Sequence, residues 1–146
     1  NQDFDFATGS AIPVFIRRAI EYPRQSFRVL GTGRETRSFC YVTDTVLGIM
    51  MSTELLQTSQ LVGPFNLGAE SRVSIAELAQ MVVDISTKHI EIDYDTTHPT
   101  VIWGQELDCS FAMRLLGGWR AKVTMRQGLE ACYRDIEARL ARAVTA

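Results

Sequence analysis

Apolar residues recur along this chain at two spacings, one helical and one extended, and their alternation sets out its elements. Ile12, Phe15, Ile16, Ala19 and Ile20 share a helix face, with Pro13 tolerated in the first turn and Tyr22-Pro23 closing the helix. Ser26 to Leu30 reads as a strand running into a turn at Gly31 and Gly33. Ser38 to Val42, rich in aromatic and β-branched residues, reads as a second strand. Thr43 or Asp44 is expected to cap a helix through Val46, Ile49, Met50 and about Leu56.

Past the turn at Gly63-Pro64, Phe65 to Gly68 reads as a strand. Ser74-Ile75-Ala76-Glu77 is a capping box, followed by the stripe Ile75, Leu78, Ala79, Val82 and Val83. His89 to Tyr94 alternates like a strand, and Asp95 to Gly104 is a polar loop. Ser110 to Leu116 is a short helix stopped by Gly117-Gly118. Thr124-Met125-Arg126-Gln127 is a second capping box, opening a long helix to about Arg142. Short strands interleaved with helices predict a mixed α/β (α+β) layer structure. The 146 residues fit one domain, 1–146. No glycine-rich turn joins a strand to a helix in a βαβ unit, so no dinucleotide site is expected on this chain.

Composition narrows the function classes. At 46% apolar and 22% charged, the chain has ordinary globular composition, and its net charge of −2 offers no bulk attraction for nucleic acid or an anionic membrane. The apolar run Val46 to Met51 is far too short to span a bilayer. Cys40, Cys109 and Cys132 are scattered and odd in number, which points to free thiols in a reducing cytoplasm. Neither His89 nor His98 stands at ligand spacing with them, so no metal site is expected. The chain opens on Asn1-Gln2-Asp3 without an initiator Met, which reads as part of a longer polypeptide.

Two polar residues stand out. Arg37 follows Gly31 and Gly33, whose backbone a ligand can approach closely, and its guanidinium fork matches phosphate oxygens. A structural ion pair with Asp44 or Glu35 would also satisfy it. Asn66 lies in an apolar stretch, where its amide must bond either neighbouring backbone or a ligand. Asp93, Asp95 and Asp108 fit no calcium loop and read as solvated. No serine or cysteine has a histidine context that nominates a nucleophile, and no Tyr has a Lys four positions on, so no catalytic residue is assigned.

Gly31-Thr32-Gly33 through Arg37-Ser38-Phe39-Cys40-Tyr41-Val42-Thr43-Asp44 resembles a segment of the extended short-chain dehydrogenase/reductase family, the NAD-dependent nucleotide-sugar epimerases, dehydratases and decarboxylases. The resemblance continues through Phe65-Asn66-Leu67-Gly68, the helix from Ser74, Leu115-Leu116-Gly117-Gly118-Trp119 and Gln127-Gly128-Leu129. It implies the small C-terminal substrate domain of such an enzyme, lacking most of the Rossmann domain. Arg37 would bind the diphosphate of a nucleotide-diphosphate sugar and Asn66 would contact the nucleotide. Ile12, Pro13 and Val14 would line the nucleotide side of the cleft, with Val29 and Leu30 against the base. Gln105 stands near the place of a second phosphate-binding Arg, able to donate a hydrogen bond but carrying no charge. NAD or NADP would be bound by the absent N-terminal half, which also carries the catalytic Tyr-x-x-x-Lys pair, so this chain alone is expected to bind no cofactor and to be inactive. A non-catalytic nucleotide-sugar-binding or scaffold module is the alternative. Without the Rossmann half, a surface around Phe39, Tyr41 and the helix from Asp44 is expected to be exposed, driving homo-oligomer formation or dependence on a partner chain.

Overall fold

The computed structural model describes residues 10–58, 63–97, 104 and 107–144. Helix α1 (Ala11–Glu21) leads into β1 (Phe27–Leu30), and β2 (Thr36–Ser38) is followed at once by α2 (Val42–Thr58). Then come β3 (Arg72–Ser74), α3 (Ile75–Ser86), β4 (Ile92–Asp95), α4 (Ser110–Leu115) and α5 (Met125–Val144). The architecture is the expected mixture of helices and short strands.

Strand β1 pairs in parallel with β4, setting Phe27 opposite Ile92 and Leu30 opposite Asp95. Alternation along β1 sends Phe27 and Val29 inward and leaves Arg28 and Leu30 exposed. Strand β2 pairs antiparallel with β3, with Arg37 opposite Val73 and Ser38 opposite Arg72. The main core gathers Ile16 and Ala19 of α1, Phe27 and Val29 of β1, Leu78 and Val82 of α3, and Leu129, Tyr133 and Ile136 of α5. Phe15 and Phe27 stack tilted with ring centroids 5.4 Å apart. Burying side chains of this size contributes roughly 1.5–3 kcal/mol each.

Local chemistry explains the helix ends. At α3, Ser74 Oγ accepts from Glu77 N at 3.1 Å while Ser74 N donates to the Glu77 carboxylate at 2.7 Å, completing the expected box. At α5, Thr124 N donates to Gln127 Oε1 at 3.0 Å and Gln127 N returns the bond to Thr124 Oγ1. Thr87 ends α3 in the left-handed region, and the following Lys88 ammonium donates to the carbonyls of Ala19, Ile20 and Tyr22 at the end of α1. A cation there complements the negative end of the helix dipole.

Helix α2 is anchored by a second, smaller core of Ala112, Leu116 and Trp119, against which Met51, Leu55, Phe65 and Leu67 pack. Gly48 makes this seat possible, because a Cβ there would lie 3.0 Å from both the Trp119 indole and Leu67.

Expected boundaries shift in several places, and the strand read over His89 to Tyr94 is β4 at Ile92–Asp95. The strand read over Ser38 to Val42 is β2 at Thr36–Ser38, because the Tyr41 carbonyl already accepts from Asp44 N and Thr45 N to start α2. Asp44 is not a cap. It sits inside the first turn, only 7% exposed, and its carboxylate turns away to a distant loop. Phe65 to Gly68 forms no ladder, since Phe65 and Leu67 insert into the second core instead, and the strand in this region is β3.

Candidate functional site

The turn after β1 is built to be tight. Gly31 N donates to Asp95 O at 2.7 Å, and Gly33 has a φ of 71° with Tyr94 Cε1 lying 2.9 Å from where a Cβ would be. No residue with a side chain fits there without displacing β4 or α3. From this turn the chain enters β2, which carries Arg37 half-buried on the same side of the ladder as Val73. Arg37 Nη1 donates to Thr36 O at 2.8 Å. The Asp44 carboxylate, one of the two ion-pair partners considered for Arg37, instead accepts Lys122 N and Val123 N, each at 2.9 Å.

Asn66 is brought to the same region by one bond: Ser38 Oγ donates to Ala69 O, tying the segment after Asn66 to the strand carrying Arg37. Asn66 itself is exposed, and its Nδ2 donates to Asp108 O at 3.1 Å. That bond uses one of the two amide N–H donors, leaving the other beside the carbonyl acceptor. Asp108 Oδ1 in turn accepts Ser110 N at 2.8 Å, and hydrogen bonds from the Ser110 backbone and hydroxyl hold the Asp108 carboxyl below its usual range. Gly104 closes the region, since a Cβ there would sit 2.6 Å from Thr36 Oγ1. The chain therefore passes beside Thr36 immediately before Gln105, which itself lies outside the described residues.

The other expected ligand contacts are distributed differently. Pro13, Val14 and Val29 have their side chains in the core, because α1 and β1 turn those positions toward α3 and α5. Any contact they make with a ligand runs through backbone. Leu30 is 51% exposed beside the turn. Ile12 faces a separate cleft of about 490 Å³ between α1, the start of α2 and α5, lined by Phe39, Tyr41, Val42, Met125 and Cys132. A second cleft of about 450 Å³ lies between Gly68–Ser71 and Arg120–Met125. Neither is lined by Arg37 or Asn66.

Burial pushes the Cys109 and Cys132 thiols up, with Asp135 adding to the effect at Cys132, so both stay protonated and poor as nucleophiles at neutral pH. Among the described residues no group of His, Cys, Asp and Glu could hold a metal ion. The glycine turn lies beside the start of a helix. The helix facing it is α3, whose first N–H groups are already taken: Ile75 N by Glu35 O, Ala76 N by Gly33 O, and Glu77 N by Ser74 Oγ. A pyrophosphate needs such donors free. No described helix is long and apolar enough to cross a membrane.

Sequence reasoning missed the Asp44 anchor and the apposition of Gly104 with Thr36. Asp44 lay within the motif, but its partners are 78 and 79 residues away and leave no local signal.

No family model matches the chain. UDP-glucuronic acid decarboxylase 6 of Arabidopsis thaliana is 34% identical over 132 residues, covering 90% of this chain and 36% of the relative. GDP-mannose 3,5-epimerase of the same plant is 27% identical over 83% of this chain. Among solved structures, a UDP-glucose 4-epimerase from Thermotoga maritima, determined with UDP-glucose, superposes with a TM-score of 0.79 at 22% identity. It covers 95% of this chain and 42% of the epimerase. A UDP-glucuronic acid 4-epimerase from Bacillus cereus, in complex with UDP-glucuronic acid and NAD, gives 0.71 at 26% identity, covering 86% of this chain and 40% of the epimerase. The chain spans 28 to 37% of the length of the decarboxylases and the epimerase it matches.

Proposed function

We propose, from the chain's place in the extended short-chain dehydrogenase/reductase family as a homologue of its C-terminal part, that it holds the nucleotide-diphosphate sugar of such an enzyme. The hydride chemistry belongs to an NAD- or NADP-binding half outside these residues. The observation that carries this reading is the match to UDP-glucuronic acid decarboxylases over 132 residues, 90% of this chain, a span that takes in Arg37 and Asn66.

The geometry supports a division of labour. Arg37 supplies a positive charge for the diphosphate, on a strand whose residue Thr36 meets the loop leading to Gln105. Asn66, with its nitrogen held by Asp108 O, offers its carbonyl to an N–H of the base. Leu30, exposed at the end of β1, gives the base an apolar surface. With glutamine where a second arginine would stand, the grip on phosphate is weaker by one charge-assisted bond, on the order of 1.5–3 kcal/mol. That departure favours a second reading, a binding or scaffold module that performs no chemistry.

Titration calorimetry with UDP, UDP-glucuronic acid, GDP-mannose and a dTDP-sugar tests the site. Arg37→Ala should weaken the nucleotide that binds by roughly tenfold to a hundredfold. Affinity indifferent to that substitution overturns the assignment. An enzyme reading further requires turnover once a cofactor-binding half is supplied; binding without turnover in that complex favours the scaffold.

A further inference from the structure

We infer that the Glu35 carboxylate accepts the ribose hydroxyls of the nucleotide whose diphosphate Arg37 holds, and so makes the site selective for ribonucleotides over 2′-deoxyribonucleotides. This rests on the reading above and deepens it, because it assigns the part of the nucleotide that lies between base and phosphate.

Burial singles out this side chain. Among the described residues, two buried side-chain polar atoms lack a hydrogen-bond partner: Glu35 Oε2 and Trp119 Nε1. The Trp119 indole packs against Gly48 in the second core and belongs to the scaffold. Glu35 instead stands two residues before Arg37, in the segment that follows the glycine turn. An ionised carboxylate accepts hydrogen bonds and donates none, so an oxygen held away from water without a donor is costly to the fold. Such an atom in a native structure calls for a donor from outside the described residues.

The ladder fixes where the carboxylate stands. Glu35 O accepts Ile75 N at 3.0 Å, extending the β2–β3 pairing one residue ahead of Thr36. Alternation along the strand then sets Glu35 and Arg37 on one face, about 7 Å apart, and Thr36 and Ser38 on the other. That other face is occupied, at Thr36 by the approach of Gly104 and at Ser38 by its bond to Ala69 O. Arg37 does not satisfy Glu35 Oε2, and its Nη1 donates to the Thr36 carbonyl. Three side chains thus follow one another from the end of β1: Leu30, exposed and apolar; Glu35, able only to accept; Arg37, able only to donate. A nucleoside diphosphate has the complementary order of base, hydroxyl-bearing ribose and anionic diphosphate. Glu35 repels phosphate, so it belongs to the uncharged middle. Vicinal hydroxyls suit the two oxygens of a carboxylate, and acidic residues bond ribose in this way in dinucleotide sites.

Titration calorimetry of this chain with UDP and 2′-deoxy-UDP tests the assignment. The parent chain should bind UDP roughly tenfold to a hundredfold more tightly than the deoxy analogue. Glu35→Ala should erase that ratio by weakening UDP alone, so that loss of the carboxylate and loss of the hydroxyl are not additive. Glu35→Gln keeps one acceptor oxygen and should retain an intermediate ratio. Without nucleotide, both variants should melt at or above the parent midpoint, because no bond to Oε2 is lost from the fold. Should the alanine variant fail to fold, the ratio in the glutamine variant decides. A parent ratio near one overturns the inference, as does a ratio that survives Glu35→Ala, whether through no effect or through equal weakening of both nucleotides. A preference for GDP over UDP that disappears in Glu35→Ala, with no dependence on the 2′-hydroxyl, also overturns it and makes the guanine edge the donor. Arg37→Ala should weaken UDP and 2′-deoxy-UDP by the same factor. No binding of either nucleotide, or binding indifferent to Arg37, sinks the substrate site itself; Arg37-dependent binding without 2′ discrimination sinks only the role of Glu35.

Discussion

Helices α2 and α3 are both rich in apolar residues, yet they relate to the rest of the molecule in opposite ways. In α3 the apolar residues Ile75, Leu78, Ala79, Val82 and Val83 occupy one stripe and are all buried, while Glu77, Gln80 and Asp84 face solvent. In α2 they encircle the helix. Gly48, Met51 and Leu55 face the second core, and Val46, Ile49, Met50 and Leu56 face outward. A stripe is the pattern of a helix with one dry side; an apolar circumference is that of a helix covered on two. Helix α3 thus buries its apolar residues within this chain, whereas α2 buries one side and leaves the other open.

The largest test of that contrast compares two truncations. Phe27→Ala, in the fully buried core under α1, should cost about 3–5 kcal/mol, whereas Ile49→Ala on the outer side of α2 should stay within about 0.5 kcal/mol. Urea unfolding followed by circular dichroism measures both, and equal losses would break the comparison. Next, Asp44→Ala removes the acceptor that fastens Lys122 and Val123 to the first turn of α2, at an expected cost of about 2–4 kcal/mol. Thermal melts should show Asp44→Asn losing less, because one carbonyl oxygen is kept. A melt unchanged by either substitution would mean that α2 needs no anchor.

The smallest effect belongs to the start of α3. Ser74→Ala should cost about 1 kcal/mol through the lost cap. Hydrogen bonds from the Ser74 backbone and hydroxyl hold the Glu77 carboxyl below the usual glutamate range. Because the folded value is the lower one, this stabilisation is present at neutral pH and is lost as pH falls through that lowered value. Stability measured from neutral down to acid pH should therefore decline more in the parent chain than in Ser74→Ala. Identical slopes would show that the Ser74 hydroxyl adds nothing to the lowering, leaving it to the backbone N–H that Ser74→Ala keeps.

The parts of the fold legible in the sequence are those decided within a few residues. Both capping boxes, the proline end of α1, the Gly117-Gly118 stop and the inward stripe of α3 depend on neighbours along the chain, and each stands where its pattern put it. Phe39 to Tyr41 misled because their strand preference was overridden by packing. Phe39 lies against the main core, and the Tyr41 ring sits 3.1 Å from the position of a Cβ on Gly128, ninety residues from the strand. At the candidate site, Arg37 beside the glycine turn was visible locally. The bond from Asn66 to the Asp108 carbonyl and the approach of Gly104 to Thr36 were not, since each joins segments separated by more than forty residues. The apolar circumference of α2 could be seen in the run Val46 to Met51, but not which of its sides would be left open.

The Asp44 carboxylate also joins the two ends of a long stretch of chain. Its bond to Lys122 closes a span of 78 residues, within which β3, α3, β4 and α4 all lie. For a flexible chain, closing a loop of that length costs about 4 kcal/mol beyond a constant, comparable to what two bonds to a charged acceptor return. The two bonds therefore roughly offset the closure, and their net gain depends on how far the intervening elements already hold the partners together. Val123, Thr124 and Met125 belong to the walls of both clefts, so the two hollows share a partition that Asp44 holds at Val123. Asp44 works like the last stitch in a seam: it adds little until every other stitch is in place, and from then on it keeps two compartments apart.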